Sequence, residues 1–293
     1  MSKSLVLIAS YPKSGNTWTR IVLERLRKSG LKHVSINNLE GAWTGIMLRR
    51  LFDDFSPVNA ADLTWAETDF FLPGAFRQLA EESQDRIFVK VHDTLRMTAL
   101  GSWLYPVESV YSVVYLVRHP FDVAVSTANH LGTSIESAVE LMAKDTFPVP
   151  LHELPPTPPQ FFGSWSHNVL SWLDSPFPRE IARYEDMHAG PVPVFARLAK
   201  IAGLTVSEDE VRRAVQTSQF EQLQKEEQKK GFRERPDSSP QFFRAGRPGS
   251  WKGVLSEALQ RRLLRDHEAV MTRLGYLPDG SAAPLEIRDG CPA

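Results

Sequence analysis

An α/β fold with a central parallel sheet flanked by helices is what this sequence predicts, and three observations carry that expectation. Four short apolar runs rich in β-branched residues read as strands buried on both faces. Amphipathic helical patterns separate them, the arrangement that gives a parallel sheet with helices on both sides. Three polar clusters stand at strand exits, where open parallel sheets bind ligands.

The predicted strands are 5–10, 87–91, 112–117 and 181–184. The first helix, 15–29, places Trp18, Ile21, Val22 and Leu26 on one face, and Gly30 stops it. Further helices are expected over 121–131, 162–173, 192–202, 208–215 and 256–274. Segment 147–160 is too rich in proline for regular structure. It reads as a loop within one domain, 1–293, because a strand-like run follows it and completes the same sheet. A second irregular stretch, 228–250, mixes Gly, Pro, Ser and Arg, and the tail 279–293 is expected to be flexible. No repeat at solenoid spacing occurs.

Composition narrows the function. A formal net charge of −1 lacks the basic excess that broad nucleic-acid or membrane-surface binding needs, so an anion site must be a local cluster of Lys and Arg. The apolar run at 5–9 is too short to span a bilayer and leads into Tyr11-Pro12-Lys13 without a small-residue cleavage site. The single cysteine, Cys291, allows no internal disulfide, which favours a reducing, cytoplasmic setting.

Four motifs carry the chemistry. In the first, Ser10-Tyr11-Pro12-Lys13-Ser14-Gly15-Asn16-Thr17-Trp18, a strand ends, a tight turn follows and a helix begins. Backbone N–H groups at such a helix start form a nest for an anion, to which Lys13 adds charge and Thr17 a hydroxyl. The Walker spacing G-x-x-x-x-G-K-[ST] is absent. The second, Lys90-Val91-His92, offers an ammonium and an imidazole from one strand face. The third puts Arg118 at a strand exit, Pro120 in a first helical turn and Ser126 two turns on. The fourth is Phe243-Arg244-Ala245-Gly246-Arg247-Pro248-Gly249-Ser250-Trp251-Lys252. Each has a plain alternative: a solvated lysine, a hydrogen-bonded structural histidine, an Arg118–Asp122 pair, an exposed Arg-Gly loop.

Together, in this order, they resemble the cytosolic-type sulfotransferase family. Tyr11 to Trp18 is similar to its 5′-phosphosulfate loop, Y-P-K-S-G-T-T-W, and 117–126 to its 3′-phosphate motif. Lys90-Val91-His92 resembles its K-T-H segment, Tyr184 to Met187 its Y-E-D-M turn, and 243–252 its R-K-G-x-x-G-D-W-K loop. The matches run from about Leu5 to Leu277. Four departures stand out. Asn16 replaces a Thr that contributes chiefly a backbone N–H, Ala245 a Lys and Ser250 an Asp, while Ser218-Gln219-Phe220 matches T-S-F loosely. The family's C-terminal dimer motif is not recognisable, so no oligomer is inferred.

The resemblance implies a P-loop nucleotide-kinase-like fold and transfer of a sulfuryl group from 3′-phosphoadenosine-5′-phosphosulfate (PAPS), leaving PAP, to a hydroxyl of a small phenol or alcohol. It implies His92 as general base, with Lys13 and Lys90 stabilising the transition state. Ser14, Gly15, Asn16, Thr17 and Trp18 would complete the donor loop. Arg118, Ser126, Phe243, Arg244, Ala245 and Gly246 would hold the 3′-phosphate side, and Tyr184, Ser218, Phe220 and Trp18 the adenine. No metal is expected, and no nucleic-acid partner or membrane insertion. The aromatics Trp43, Trp65, Phe70, Phe71, Trp103, Phe161, Phe162 and Trp165 are candidates for an acceptor wall or for plain core. Two rivals remain open: a P-loop-type phosphotransferase, and a non-catalytic nucleotide-binding protein.

Overall fold

The computed structural model describes residues 3–28, 34–37, 39, 52–54, 56, 58–59, 62–145, 148–149, 160–235 and 241–283. In chain order the described elements are β1 (Leu5–Ser10), α1 (Asn16–Arg27), α2 (Trp65–Glu82), β2 (Ile87–Val91), β3 (Val110–Val117), α3 (Pro120–Leu131), α4 (Ile135–Met142), β4 (Pro148–Val149), β5 (Gln160–Phe161), α5 (Trp165–Leu173), β6 (Arg179–Arg183), α6 (Tyr184–Ala189), α7 (Pro191–Ile201), α8 (Glu208–Thr217), α9 (Phe220–Lys230) and α10 (Glu257–Arg273).

Strand β1 is buried along its whole length because it is flanked on both edges and covered on both faces. It pairs in parallel with β2 and β3, and β3 pairs in parallel with β6, giving the order β2-β1-β3-β6. Alternate residues of each strand feed opposite layers, as the period of two requires. Leu5, Leu7, Val89, Val91, Val113 and Tyr115 pack with α2, α5 and α10. Val6, Ile8, Phe88, Val114 and Leu116 pack with α1, α7 and α8. Since β2 and β3 lie on opposite sides of β1, the loops leaving their carboxyl ends diverge there and open a crevice. Ser10, His92, Arg118 and Tyr184 all stand at that edge.

All four predicted strands form, with β3 starting at Val110 and β6 ending at Arg183, where Tyr184 opens α6. The helix expected over 162–173 begins at Trp165, preceded by β5. Residues 228–230 are not irregular: they are the last turn of α9, which ends at Gly231. Of the proline-rich segment, Pro148–Val149 pairs antiparallel with Gln160–Phe161, while 147 and 150–159, like Trp43 and Cys291, lie outside the described residues. The start of the expected flexible tail is docked. Arg183 donates to the carbonyls of Leu274 and Ala283 at 3.0 and 2.6 Å, and Tyr276 bridges to Ala282. Residues 284–293 lie outside the described residues.

Helix α2 is absent from the predicted set because Pro73-Gly74 at its middle reads as a turn. Its capping box is the signal that outweighs that pair: Thr64 accepts from the Glu67 N–H while the Glu67 carboxylate accepts from the Thr64 N–H. Burial of Leu72, Ala75, Phe76 and Leu79 then holds the helix despite the proline.

Candidate active site

The phosphate loop joins β1 to α1 through two left-handed residues, Lys13 at φ 70° and Gly15 at φ 98°. A non-glycine residue in this region is uncommon, and the alternation turns successive N–H groups toward one point. A β-carbon on Gly15 would come within 2.8 Å of the Tyr184 ring, so only glycine fits. Helix α1 has no side-chain cap and no acid in its first turn. Its exposed N–H groups and positive dipole end are thus left for an anion.

Asn16 does more than supply an N–H. Its buried amide donates to the Ile8 carbonyl at 2.8 Å and to Ser10 Oγ at 3.3 Å, and its Oδ1 accepts from Arg20 Nε at 3.0 Å. It therefore ties strand, loop and helix together. Thr17 lines the cleft and accepts from Arg20 at 3.4 Å. Ser14 is fully buried behind the loop, its hydroxyl without a partner.

At the end of β2, His92 is fixed by its Nδ1, which lies 2.9 Å from the Ser10 carbonyl and 3.3 Å from Ser10 Oγ. A carbonyl only accepts, so Nδ1 carries the proton and Nε2 is the basic nitrogen. Burial, then Lys90, push the imidazole down to about 3, so it is neutral at about pH 7. Buried Asn168 holds the turn from behind, donating to the His92 and Phe162 carbonyls at 3.0 Å each. The Lys90 ammonium donates to Glu234 Oε2 at 3.0 Å, and both Glu234 oxygens also accept from one Arg20 nitrogen, Nη2, at 2.7 and 2.8 Å. Lys13 Nζ lies 3.2 Å from His130 Nδ1 and 4.7 Å above the Phe242 ring.

Arg118 leaves β3 buried, stacks 4.3 Å over Tyr184 and donates to the Lys13 and Arg247 carbonyls at 3.3 and 3.1 Å. Its contact with Asp122 is a loose 3.6 Å. Asp122 is spent mainly elsewhere: it accepts from the Gly249 N–H and Ser250 hydroxyl at 2.7 Å and the Trp251 N–H at 3.1 Å. The fourth motif is thereby pinned to α3. Its other end is pinned to α9, where Glu227 accepts from the Phe242 and Phe243 N–H groups. Gly246, at φ 56°, packs so tightly on Phe220 that any β-carbon would overlap the ring.

These groups line one cleft of about 560 Å³. Lys13, Gly15, Asn16, Thr17, Trp18, Lys90, His92, Arg118, Ser126, Tyr184, Ser218, Phe220, Phe243, Arg244, Ala245 and Gly246 all reach it; Ser14 does not. Ser218 is committed there, donating to the Ala214 carbonyl and accepting from Arg25. Of the candidate acceptor aromatics, Phe162 reaches the cleft, edge-on to His92 at 6.0 Å. Trp165 is core, Phe161 lies under Arg96, and Phe70 is exposed. Tyr11, Leu131 and Leu141 supply apolar wall that motif reading missed. It also missed Arg20, His130, Asn168 and Glu234, none of which lies at a strand exit or falls on a residue the motif comparison assigns to donor binding, and it named Asp122 only as a partner for Arg118.

Charge is unbalanced in this cleft. Burial, followed by Lys90, Arg118 and Arg244, pulls the Lys13 ammonium down to about 7, with Glu234 alone opposing. Glu234 is the sole carboxylate among the described lining residues. The Nε atom of buried Arg118 has no partner. Four lining cations against one described lining carboxylate, with an unpaired donor, fit a ligand bearing several phosphates or sulfates. Among the described residues no group of His, Cys, Asp and Glu is placed to hold a metal ion, and no helix is long and apolar enough to cross a membrane.

Comparison with known proteins agrees with this geometry. The sulfotransferase domain matches residues 3–275. Cytosolic sulfotransferase 16 of Arabidopsis thaliana is 27% identical over 276 residues, covering 88% of this chain and 73% of that protein. Flavonol 3-sulfotransferase of Flaveria bidentis is 25% identical over 275 residues, covering 88% and 78%. The fold is shared with retinol dehydratase in a complex with retinol and PAP, at a TM-score of 0.61 and 21% identity over 92% of this chain and 82% of that one. The parallel sheet with its phosphate loop is thus the P-loop-like architecture of these enzymes. Motif order, cleft and domain match lead to one conclusion: the chain belongs to the sulfotransferase family, whose members transfer sulfuryl groups.

Proposed function

We propose that this chain transfers the sulfuryl group of PAPS to the hydroxyl of a small phenol or alcohol, with His92 as general base. The observation that carries the reading is the shared cleft: a neutral imidazole with a fixed tautomer faces the same space as Lys13, Lys90, Arg118 and Arg244.

PAPS supplies an activated sulfuryl group on a good leaving phosphate. The chain's own residues do the rest. Ser10 orients the His92 ring, so that Nε2 takes the acceptor's proton. Lys13, the N–H groups at the start of α1 and Lys90 stabilise charge that shifts onto the leaving oxygen, as fixed dipoles and cations do in phosphoryl transfer. Arg118, Ser126 and Arg244 hold the 3′-phosphate, with Trp18, Tyr184 and Phe220 around the adenine. Tyr11, Leu131, Leu141 and Phe162 exclude water beside His92. An apolar acceptor with one hydroxyl suits that wall. A relative named for flavonol and a neighbour bound to retinol support that class. We place the protein in the cytoplasm, in keeping with relatives named cytosolic.

His92→Ala tests the assignment. Turnover should fall by roughly 10²–10⁴-fold while PAP affinity by calorimetry stays within about twofold. Wild-type turnover in that variant would remove His92 from the reaction.

A further inference from the structure

The one carboxylate among the described cleft-lining residues lies against a cation of the reacting centre. Glu234 follows the C-terminus of α9 and is the shared acceptor of two cations, Lys90 at 3.0 Å and Arg20 at 2.7 Å. Arg20 is 3% exposed, and its remaining contacts run to Asn16 and Thr17 in the first turn of α1. A chain of contacts therefore leads from the phosphate loop through Arg20 and Glu234 to Lys90, and along β2 to His92. The Asn16 carbonyl that receives Arg20 stands where the family's usual loop has a threonine, so that link depends on this chain's own residue.

We propose that Glu234, anchored through Arg20 to the start of α1, is a positioning residue that holds the Lys90 side chain in place and keeps its ammonium charged before donor and acceptor bind. This rests on Lys90 being the transition-state cation of the proposed transfer.

The surroundings of Lys90 show why a counter-ion is needed. Arg20 faces it from α1, Lys13 from the phosphate loop, His92 from the end of its own strand and His130 from α3, and among the described residues Glu234 supplies the only negative charge. Burial and Arg20 both favour the neutral amine, and Glu234 opposes them. Glu234 itself stays ionised: burial raises its carboxyl, but Lys90 and Arg20 bring it down to about 2. Without it, an amine buried among cations would shed its proton. Removal also has a distinctive sign, since the same carboxylate repels an anionic donor. Its loss should weaken turnover without weakening donor binding, and a folding defect would weaken both.

Two readouts test this. The first is titration of lysine labelled with ¹³C at Cε in the free protein, with Lys90→Arg assigning the resonance. In Glu234→Gln the Lys90 midpoint should move down by about one pH unit or more. The second is steady-state kinetics with PAPS. In Glu234→Gln, kcat should fall severalfold at a pH one unit above the Lys90 midpoint that the titration gives for that variant, with KM for PAPS unchanged or lower, because charged ammonium is lost about tenfold for each unit the pH exceeds its midpoint. Glu234→Asp should recover part of the loss. Arg20→Lys, which keeps the charge but cannot hold Asn16 through Nε and Glu234 through Nη2 at once, should move kcat the same way and covers the case of an unstable Glu234→Gln. In a Lys90→Ala background, Glu234→Gln should cost little more. An unmoved Lys90 titration, or wild-type kcat in both Glu234→Gln and Arg20→Lys, overturns the proposal while leaving a deficient Lys90→Ala to support the transfer reading. Wild-type turnover in Lys90→Ala overturns the role of Lys90 itself, and this proposal with it.

Discussion

Two cationic loops meet at the cleft, and they are built in opposite ways. The loop at 10–18 is shaped locally: Lys13 and Gly15 take left-handed conformations, Asn16 reaches back to Ile8, and α1 starts without a cap. The loop at 243–252 has little structure of its own and is shaped at a distance, by Asp122 at one end, Glu227 at the other and Arg118 in between. The first faces the proposed reacting group together with Lys90 and His92. The second faces the proposed 3′-phosphate. A site built this way separates chemistry from grip: changes at the first loop should act on turnover, and changes around the second on donor recognition.

The largest effect should come from the first loop. Lys13→Ala is expected to cost roughly 10²-fold or more in turnover, since it removes a fixed charge at the leaving oxygen. Lys13 also gives PAP binding a pH dependence of known sign. With its free-state value near 7, a bound anion raises it, so binding should take up a proton and weaken as pH rises above about 7. Calorimetry in buffers of different ionisation enthalpy measures that uptake, which Lys13→Ala should abolish. Uptake that persists in the variant would assign the titration elsewhere.

Next in size is the grip. The wild type should prefer PAPS to the analogue lacking the 3′-phosphate, and Arg118→Ala should erase that preference, a charge-assisted contact contributing about 1.5–3 kcal/mol. Equal use of the two donors by the wild type would dissolve the contrast between the loops.

Smaller still is the effect of releasing the second loop. Asp122→Asn keeps the shape but turns one of the two accepting oxygens into a donor that faces a backbone N–H of the 249–251 turn, so Tm should drop by about 2–4 °C or more for a loss of about 1 kcal/mol or more. KM for PAPS should rise with kcat nearly unchanged. A kcat defect larger than the KM change would mean that the loop takes part in the chemistry.

The same contrast explains what the sequence could and could not reveal. Four strands and the first loop were legible because their causes are local: apolar runs buried on both faces, a glycine between a strand and a helix, a helix with no cap. The second loop was legible only as a motif, since Asp122 and Glu227, which shape it, are remote in the chain. Helix α9 shows the limit clearly. Its run of Glu, Gln and Lys reads as surface, yet Glu226 and Glu227 are buried because they bind the N–H groups of Ile36, Phe242 and Phe243. Glu234 lies among Arg and Glu residues in a stretch that reads as solvated, and only the fold brings it to Lys90. Asn16 follows the same rule: the motif points to its N–H, whereas its amide bonds Ile8, Ser10 and Arg20.

The reaction itself can be measured on the wild-type protein. Wild-type protein should be incubated with a panel of phenols and alcohols and either PAPS with excess chelator or ATP with magnesium, and products followed by mass spectrometry. The loop offers Lys13 and N–H groups but no Gly-Lys-Ser/Thr hydroxyl to hold magnesium, so charge is met by fixed groups. A sulfated product should form in step with PAP release, undiminished by chelator, with no phosphorylated product. Phosphorylation from magnesium-ATP, or PAPS turnover that chelator abolishes and magnesium restores, would contradict it.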